Sequence, residues 1–202
     1  MKSNYSGTTG YVLAIVVGWV FFICFSFYHF LEVGPDDVFI FLWTGENLHK
    51  SYWFVNYNFQ TQEMVSSILV PLIIKLISIF ISEEVFFLSY KILGLLSASM
   101  VFWILWAGRN YLFGTIKSEL MAFFAISATI FSPIFQYWSL GGMETSYQSV
   151  LYTFLPIAIV LYLENSKFLN WLALVLTDML IILVRAEGFL FVFIAAIFFG
   201  IS

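Results

Sequence analysis

The chain has 202 residues, of which 62% are hydrophobic, 21% are aromatic and only 10% are charged. This composition lies outside the range of soluble globular domains and is typical of a protein whose helices cross a membrane. The net charge of −4 gives no support for nucleic-acid binding, and the single Cys24 excludes an intrachain disulfide. We therefore expect an all-α, polytopic transmembrane helix bundle that binds no nucleic acid.

The first apolar run, residues 11–31, is longer than the apolar region of a signal peptide and is followed by no small-residue cleavage site. It predicts a retained membrane anchor. Further apolar stretches of roughly 20 residues follow it, and they cover residues 64–81, 85–107, 116–138, 147–163, 168–184 and 189–202. Whether the stretch 64–81 crosses the membrane decides the topology.

Basic residues settle the orientation of the predicted spans, because loops retained in the cytoplasm carry an excess of Lys and Arg. Lys2, the pair Arg109 and Lys117, and Lys167 mark three such positions. All three fall on the same side only if residues 64–81 do not span. The charges therefore predict about six spanning helices, with the stretch 64–81 on the outer surface.

Polar residues within the stretch 64–81 recur at intervals of three or four positions, which places them on one face of a helix. They are Ser67, Pro71, Lys75, Ser78 and Ser82. A Lys near the middle of a span costs roughly 2.5 to 3.5 kcal/mol, whereas a helix at the interface keeps it in contact with water. We expect a juxtamembrane helix, and the alternative is a short span with Lys75 facing the bundle interior.

This topology collects the polar motifs on the outer side of the membrane, opposite the basic loops. The outer segment 32–84 begins with "GPDD" and contains Glu63 at the end of "TQE". The motifs "GGMETS" (141–146) and "RAEG" (185–188) also fall on this side. Trp and Tyr residues in the outer segment suit the headgroup level, so we expect it to lie along the membrane.

The acidic residues of these motifs also have structural interpretations. Asp36 or Asp37 is a suitable N-cap for a short helix from Val38 to about Leu48. Glu144 is suited to stabilise the start of the helix that follows it. The spacing alone does not separate these roles from functional ones.

Charged residues inside the predicted spans suggest a binding pocket. Asp178 lies within the stretch 168–184, where a carboxylate is costly unless it is paired or faces a cavity. Arg185 follows seven residues later on nearly the same helical face, about 10 Å along the axis. With Lys91 and Lys75 it would suit the phosphate of an anionic lipid. The alternative is charge pairing within the bundle.

Four short motifs give the chain a resemblance to a known family. They are "PDDVFIFLWTGENL" after the first span, "VNYNFQTQEMVSSILVPL", "GGMETS" before a span, and "VRAEGFL" after a span. In this order they resemble membrane glycosyltransferases of the GT-C superfamily, and in particular its arabinofuranosyltransferase-like and mannosyltransferase-like bacterial members. These enzymes take sugars from polyprenyl-phosphate carriers.

The resemblance implies a catalytic Asp at Asp36 or Asp37 and substrate-binding roles for Glu63 and Glu144. With the charged residues of the spans, the expected substrate-binding set is Glu63, Lys75, Lys91, Glu144, Asp178, Arg185 and Glu187. Family members commonly have Pro at the position of Ala186 and are longer. Residues 1–202 are therefore expected to form the N-terminal transmembrane module of such an enzyme.

The chemistry expected from these residues is sugar transfer with inversion. A carboxylate takes the proton of an acceptor hydroxyl, and a cation, either Arg185 or a divalent metal, stabilises the departing lipid phosphate. The expected partners are a polyprenyl-phosphate sugar, a glycan or lipid acceptor and membrane lipids, at the outer face of a bacterial inner membrane.

Two other functions compete with the transferase. One is a lipid or solute transporter, although a transporter should show internal repeats and broken helices, and neither is clear in the sequence. The other is a non-catalytic, truncated membrane assembly subunit.

Overall fold

The computed structural model describes residues 5–30, 36–49, 67–81, 83–114, 117–141 and 144–200, and every regular element in these ranges is an α-helix. The helices are α1 (Tyr5–Phe30), α2 (Asp36–His49), α3 (Leu69–Ser78), α4 (Glu83–Ala107), α5 (Arg109–Phe113), α6 (Ser118–Ile130), α7 (Pro133–Leu140), α8 (Glu144–Glu164), α9 (Phe168–Val184) and α10 (Gly188–Gly200). The prediction of an all-α fold is thereby confirmed for the described residues.

Three of these helices are long and apolar enough to cross a membrane. They contain the segments Thr9–His29, Phe87–Ala107 and Glu144–Glu164, and α6 with α7 makes a fourth candidate if the pair is one bent span. The helices α9 and α10 are apolar but shorter. The chain is therefore a helical membrane protein with three to four candidate spans in its described part.

The predicted span 116–138 is broken between α6 and α7, which meet at an angle of 66°. Pro133 begins α7, and the hydroxyl of Ser132 accepts a hydrogen bond from the Phe135 N–H at 3.3 Å. The Gln136 side chain donates to the Ile130 carbonyl at 2.7 Å. A proline that lacks an N–H and a serine cap thus start a new helix, and the freed carbonyl receives a side-chain donor.

The core contains an aromatic cluster contributed by three helices. The rings of Phe22 (α1) and Phe102 (α4) meet edge to face at 5.1 Å, and the ring of Phe135 (α7) lies 6.0 Å from each. Gly18 of α1 allows Ile130 of α6 to approach closely. These contacts hold the broken pair α6 and α7 against α1 and α4.

The helices α4 and α8 run parallel, as two contacts near their opposite ends indicate. Tyr90 and Tyr147 pack in one cluster, while Gly108, just after α4, lies against Ile157 of α8. The order along both helices is the same. Arg109 and its loop therefore lie at the opposite end of the bundle from the start of α8.

The helix α3 has 10 residues and is too short to cross a membrane. It lies against α2 and α4, with Val70, Pro71 and Ile74 buried, whereas Leu72, Leu76 and Phe80 are exposed. Ser67 and Pro71 of the predicted polar face contact protein, and the exposed face is apolar. This arrangement suits contact with lipid on the exposed side.

The close packing of α2 on α3 makes a testable prediction at Gly45. A Cβ at this position would overlap the Ile74 side chain, whereas nothing lies within 4 Å of a Cβ at Gly10 in α1. We expect Gly45→Ala to lower the free energy of unfolding by about 1–3 kcal/mol, and Gly10→Ala to leave it unchanged or slightly higher. Thermal unfolding in detergent measures both, and equal Tm values would contradict this packing.

Candidate functional site

Arg185 lies where α9 ends and the chain turns into α10. Its backbone is extended, and its N–H donates to the Ile181 carbonyl at 3.2 Å. Two turn residues follow, and at Gly188 an added Cβ would lie 2.5 Å from the Ile181 oxygen. The glycine of "RAEG" is therefore required by close packing of the turn against α9, and this turn fixes the position of Arg185.

Two carboxylates flank the Arg185 guanidinium. Glu144 Oε1 lies 3.5 Å and Glu187 Oε2 lies 3.6 Å from Arg185 Nε, and the exposed fractions of the side chains are 3% for Glu144, 37% for Arg185 and 70% for Glu187. The motifs "GGMETS" and "RAEG" thus meet in space. Of the residues predicted to bind substrate, these three are brought together.

The Arg185 guanidinium is held by charge rather than by hydrogen bonds. At 3.5 and 3.6 Å the two contacts are longer than a well-formed charged hydrogen bond, and Nε is buried without a hydrogen-bond partner among the described residues. Glu144 is the first residue of α8, where the helix dipole favours a negative charge. A partly exposed arginine in this position keeps donors available for an anion.

Two tyrosines that the sequence analysis missed border this site. Tyr90 of α4 is fully buried and close enough to Tyr147 and Glu144 of α8 to interact with them electrostatically. The hydroxyl groups of both tyrosines are buried without a hydrogen-bond partner among the described residues. Tyr147 lies three residues after Glu144 on the same face of α8. This spacing in the sequence could have indicated that Tyr147 lies close to Glu144.

The helices α2 and α3 lie at the same end of the bundle as Arg185. The Ile68 N–H and the Ser67 hydroxyl contact the Leu183 carbonyl at 3.1 and 3.5 Å, two residues before Arg185. Leu42 of α2 packs in the same cluster as Tyr90.

The backbone of α2 begins at Asp36, so Asp36 and Asp37 lie in its first turn. The helix starts two residues before the predicted Val38. The positions of the two carboxyl groups, and Glu63 altogether, lie outside the described part of the chain.

The remaining predicted residues are not gathered around Arg185. Lys91 is 1% exposed, with Nζ 4.7 Å from the centre of the Phe87 ring. Lys75 is partly exposed on α3, where its carbonyl accepts a hydrogen bond from Ser78. Asp178 lines a cavity among α8, α9 and α10, and its charge is not paired with Arg185.

No group of three or more His, Cys, Asp or Glu side chains in the described ranges is arranged to hold a metal ion. The two carboxylates of this site, Glu144 and Glu187, both face the cationic Arg185. A guanidinium between them repels a second cation. In the described part of the site, Arg185 therefore supplies the positive charge.

Comparisons with known proteins identify no relative: no family model, no curated protein and no solved structure matches this chain.

Proposed function

We propose that this chain is a membrane glycosyltransferase of the GT-C type, which moves a sugar from a polyprenyl-phosphate donor to an acceptor hydroxyl. The observation that carries the proposal is the partly exposed Arg185, placed at one end of the bundle between Glu144 and Glu187. A guanidinium with free donors at a helix end is suited to a phosphate. The packing of α3 beside α9 supports a site bordered by lipid-facing helices.

In the proposed reaction, Asp36 or Asp37 accepts the proton of the acceptor hydroxyl, whose oxygen attacks the anomeric carbon of the sugar. The bond between that carbon and the phosphate oxygen breaks, and the polyprenyl phosphate leaves with the electron pair. Arg185 stabilises the charge on the departing phosphate. A single displacement of this kind inverts the anomeric carbon.

The proposed topology has six spans, with the Arg185 site on the periplasmic or outer face of a bacterial inner membrane. The helix α9 has 17 residues, or about 25 Å, and so comes close to the thickness of the hydrocarbon core. The parallel course of α4 and α8, with the Arg109 loop opposite Glu144, supports this arrangement. The basic loops then face the cytoplasm.

Cysteine labelling tests this topology. With Cys24 replaced by Ser, a cysteine at Gly142 is expected to react with an impermeant thiol reagent in intact cells. A cysteine at Ser166, exposed between α8 and α9, is expected to react only after permeabilisation. The reverse pattern would contradict the proposed orientation.

The transferase itself is tested in liposomes with radiolabelled polyprenyl-phosphate sugars of several kinds and a mixture of glycan and lipid acceptors. Transfer of label from at least one donor to an acceptor is the expected result. The proposal would be contradicted if the folded protein consumed none of the donors.

Transport is a second candidate, because the break between α6 and α7 supplies the kind of discontinuous helix that transporters use. The same liposomes distinguish the two. Movement of a lipid or sugar across the bilayer without chemical change is expected of a transporter and not of the proposed transferase.

A further inference from the structure

Asp178 is a carboxylate placed well inside α9, an apolar helix of 17 residues that crosses the membrane in the proposed topology. It is about 15 Å along α9 from Phe168 and about 9 Å from Val184, so it is remote from both ends. It lines a cavity of about 220 Å³ together with residues of α8 and α10, among them Tyr162, Ala195 and Ala196. We name this space the Asp178 cavity.

The charge of Asp178 is not balanced within the described part of the chain. Its carboxyl group makes no hydrogen bond or ion pair with any described residue. A carboxylate at such a depth costs roughly 2.5 to 3.5 kcal/mol on insertion scales, and ionisable residues in spans normally pair with one another or face a polar cavity. The lining around Asp178 is otherwise mostly apolar.

A cation at the same depth would complement this carboxylate. The amine of a lipid headgroup stays at the membrane surface, whereas a Lys or Arg on a transmembrane helix reaches this level directly. The cavity has several times the volume of a water molecule, which leaves room for the end of such a side chain. Ala195 and Ala196 on α10 allow the backbone of another helix to come close.

A second copy of this chain does not supply that cation from its described residues. Arg109, Lys117, Lys167 and Arg185 lie at or beyond the ends of helices, and Lys91 is buried. Lys75 is on the short helix α3. Among the described residues, no cation of this chain is therefore both accessible and near the middle of a span, and a helix of another protein is the occupant that fits.

We propose that the Asp178 cavity binds a transmembrane helix of a partner protein that carries a Lys or Arg near its midpoint. The basic side chain enters the cavity and pairs with Asp178, while the rest of that helix packs on the apolar surfaces of α9 and α10. This interaction is independent of the reaction proposed at Arg185.

Synthetic transmembrane peptides test the proposal in liposomes that contain the whole chain. The peptides are Leu-rich and differ at one position: Lys at the centre, Leu at the centre, or Lys near one end. Energy transfer from a labelled peptide to a dye on a cysteine at Ser166, in a Cys24→Ser background, measures association. The peptide with a central Lys is expected to bind at least tenfold more tightly than the other two.

Variants of the chain identify the pairing group. Asp178→Asn should reduce binding of the central-Lys peptide to the level of the central-Leu peptide, and Asp178→Glu should keep most of the preference. Glu164→Gln, which removes an exposed carboxylate at the end of α8, is the matched control and should change nothing.

Equal binding of the three peptides to the parent chain would overturn the proposal, and this comparison does not depend on any variant. A preference that survives Asp178→Asn would also overturn it. Equal binding of the two Lys peptides would show that the cation is recognised at the membrane surface instead.

Discussion

Replacing Asp36 and Asp37 together by Asn is expected to lower the rate of sugar transfer by at least about 100-fold, the scale of the loss when a general base is removed. The amide keeps the shape of each side chain but does not accept the proton of the acceptor hydroxyl. Single variants should divide the effect unequally, because only one of the two carboxylates is proposed to act as the base. A transfer assay in liposomes measures the rate of sugar transfer in the double variant and in both single variants.

The control for this experiment is Glu119→Gln, which removes a carboxylate from the opposite end of the bundle, where it pairs with Arg109 at 3.9 Å. It should transfer sugar at the parent rate. Binding of the donor lipid should persist in the Asn variants, since we propose that Arg185 binds the phosphate. If both single variants and the double variant transfer sugar at rates close to the parent, Asp36 and Asp37 have only a structural role at the start of α2.

Replacing Arg185 by Ala is expected to weaken binding of the polyprenyl-phosphate donor by about 10- to 100-fold, which corresponds to the loss of charged hydrogen bonds worth roughly 1.5–3 kcal/mol. Lys at this position keeps the charge without the planar fork and should restore only part of the affinity. Titration of the chain in nanodiscs with the donor lipid measures this. Equal affinity in Arg185→Ala and the parent would remove Arg185 from the site.

The two carboxylates beside Arg185 provide an internal comparison. Together with the arginine they carry a net charge of −1, which repels an incoming phosphate even though Arg185 has donors available. Glu187 is 70% exposed and is the one free to move. Glu187→Gln should therefore raise donor affinity, by no more than about fivefold, since exposed ion pairs contribute only about 0–1 kcal/mol. Glu144→Gln removes a buried partner and should lower both the Tm and the affinity.

The sequence predicted the helices well where a helix-start signal or a long apolar run determines them. The predicted helix from Val38 to about Leu48 is found as Asp36–His49, and the stretch 168–184 is found as Phe168–Val184. The ends of these elements are marked by prolines, glycines and charged residues, which end a helix or a span for local reasons. Such boundaries do not depend on the rest of the fold.

Features that depend on contacts between helices were harder to predict. The break at Ser132 and Pro133 carries a local signal, but apolar composition on both sides made the stretch 116–138 look like one span. The contact of Glu144 with Arg185 joins residues that are far apart in the sequence. It arises because α8 and α9 form an antiparallel pair, so that the start of one lies beside the end of the other.

Asp178 also shows that contacts between helices are hard to predict from the sequence. Helical periodicity places Asp178 on nearly the same face as Arg185, yet the two face different neighbours: the cavity beside α8 and α10, and the pair Glu144 and Glu187. Periodicity fixes direction around a single axis. It does not say which helix occupies the facing position, and that is decided by side-chain packing.

The break between α6 and α7 also bears on how the protein enters the membrane. With 13 and 8 residues, the two helices are about 20 and 12 Å long, and neither crosses about 30 Å of hydrocarbon alone. A translocation channel releases a segment into lipid when its apolar stretch is long enough to span. Neither α6 nor α7 meets this condition alone, so each would insert poorly by itself. The aromatic contacts with Phe22 and Phe102 make α1 and α4 the partners of this pair. If the pair is one bent span, its membrane integration is thus expected to be cooperative, because α6 and α7 enter the membrane by packing against α1 and α4.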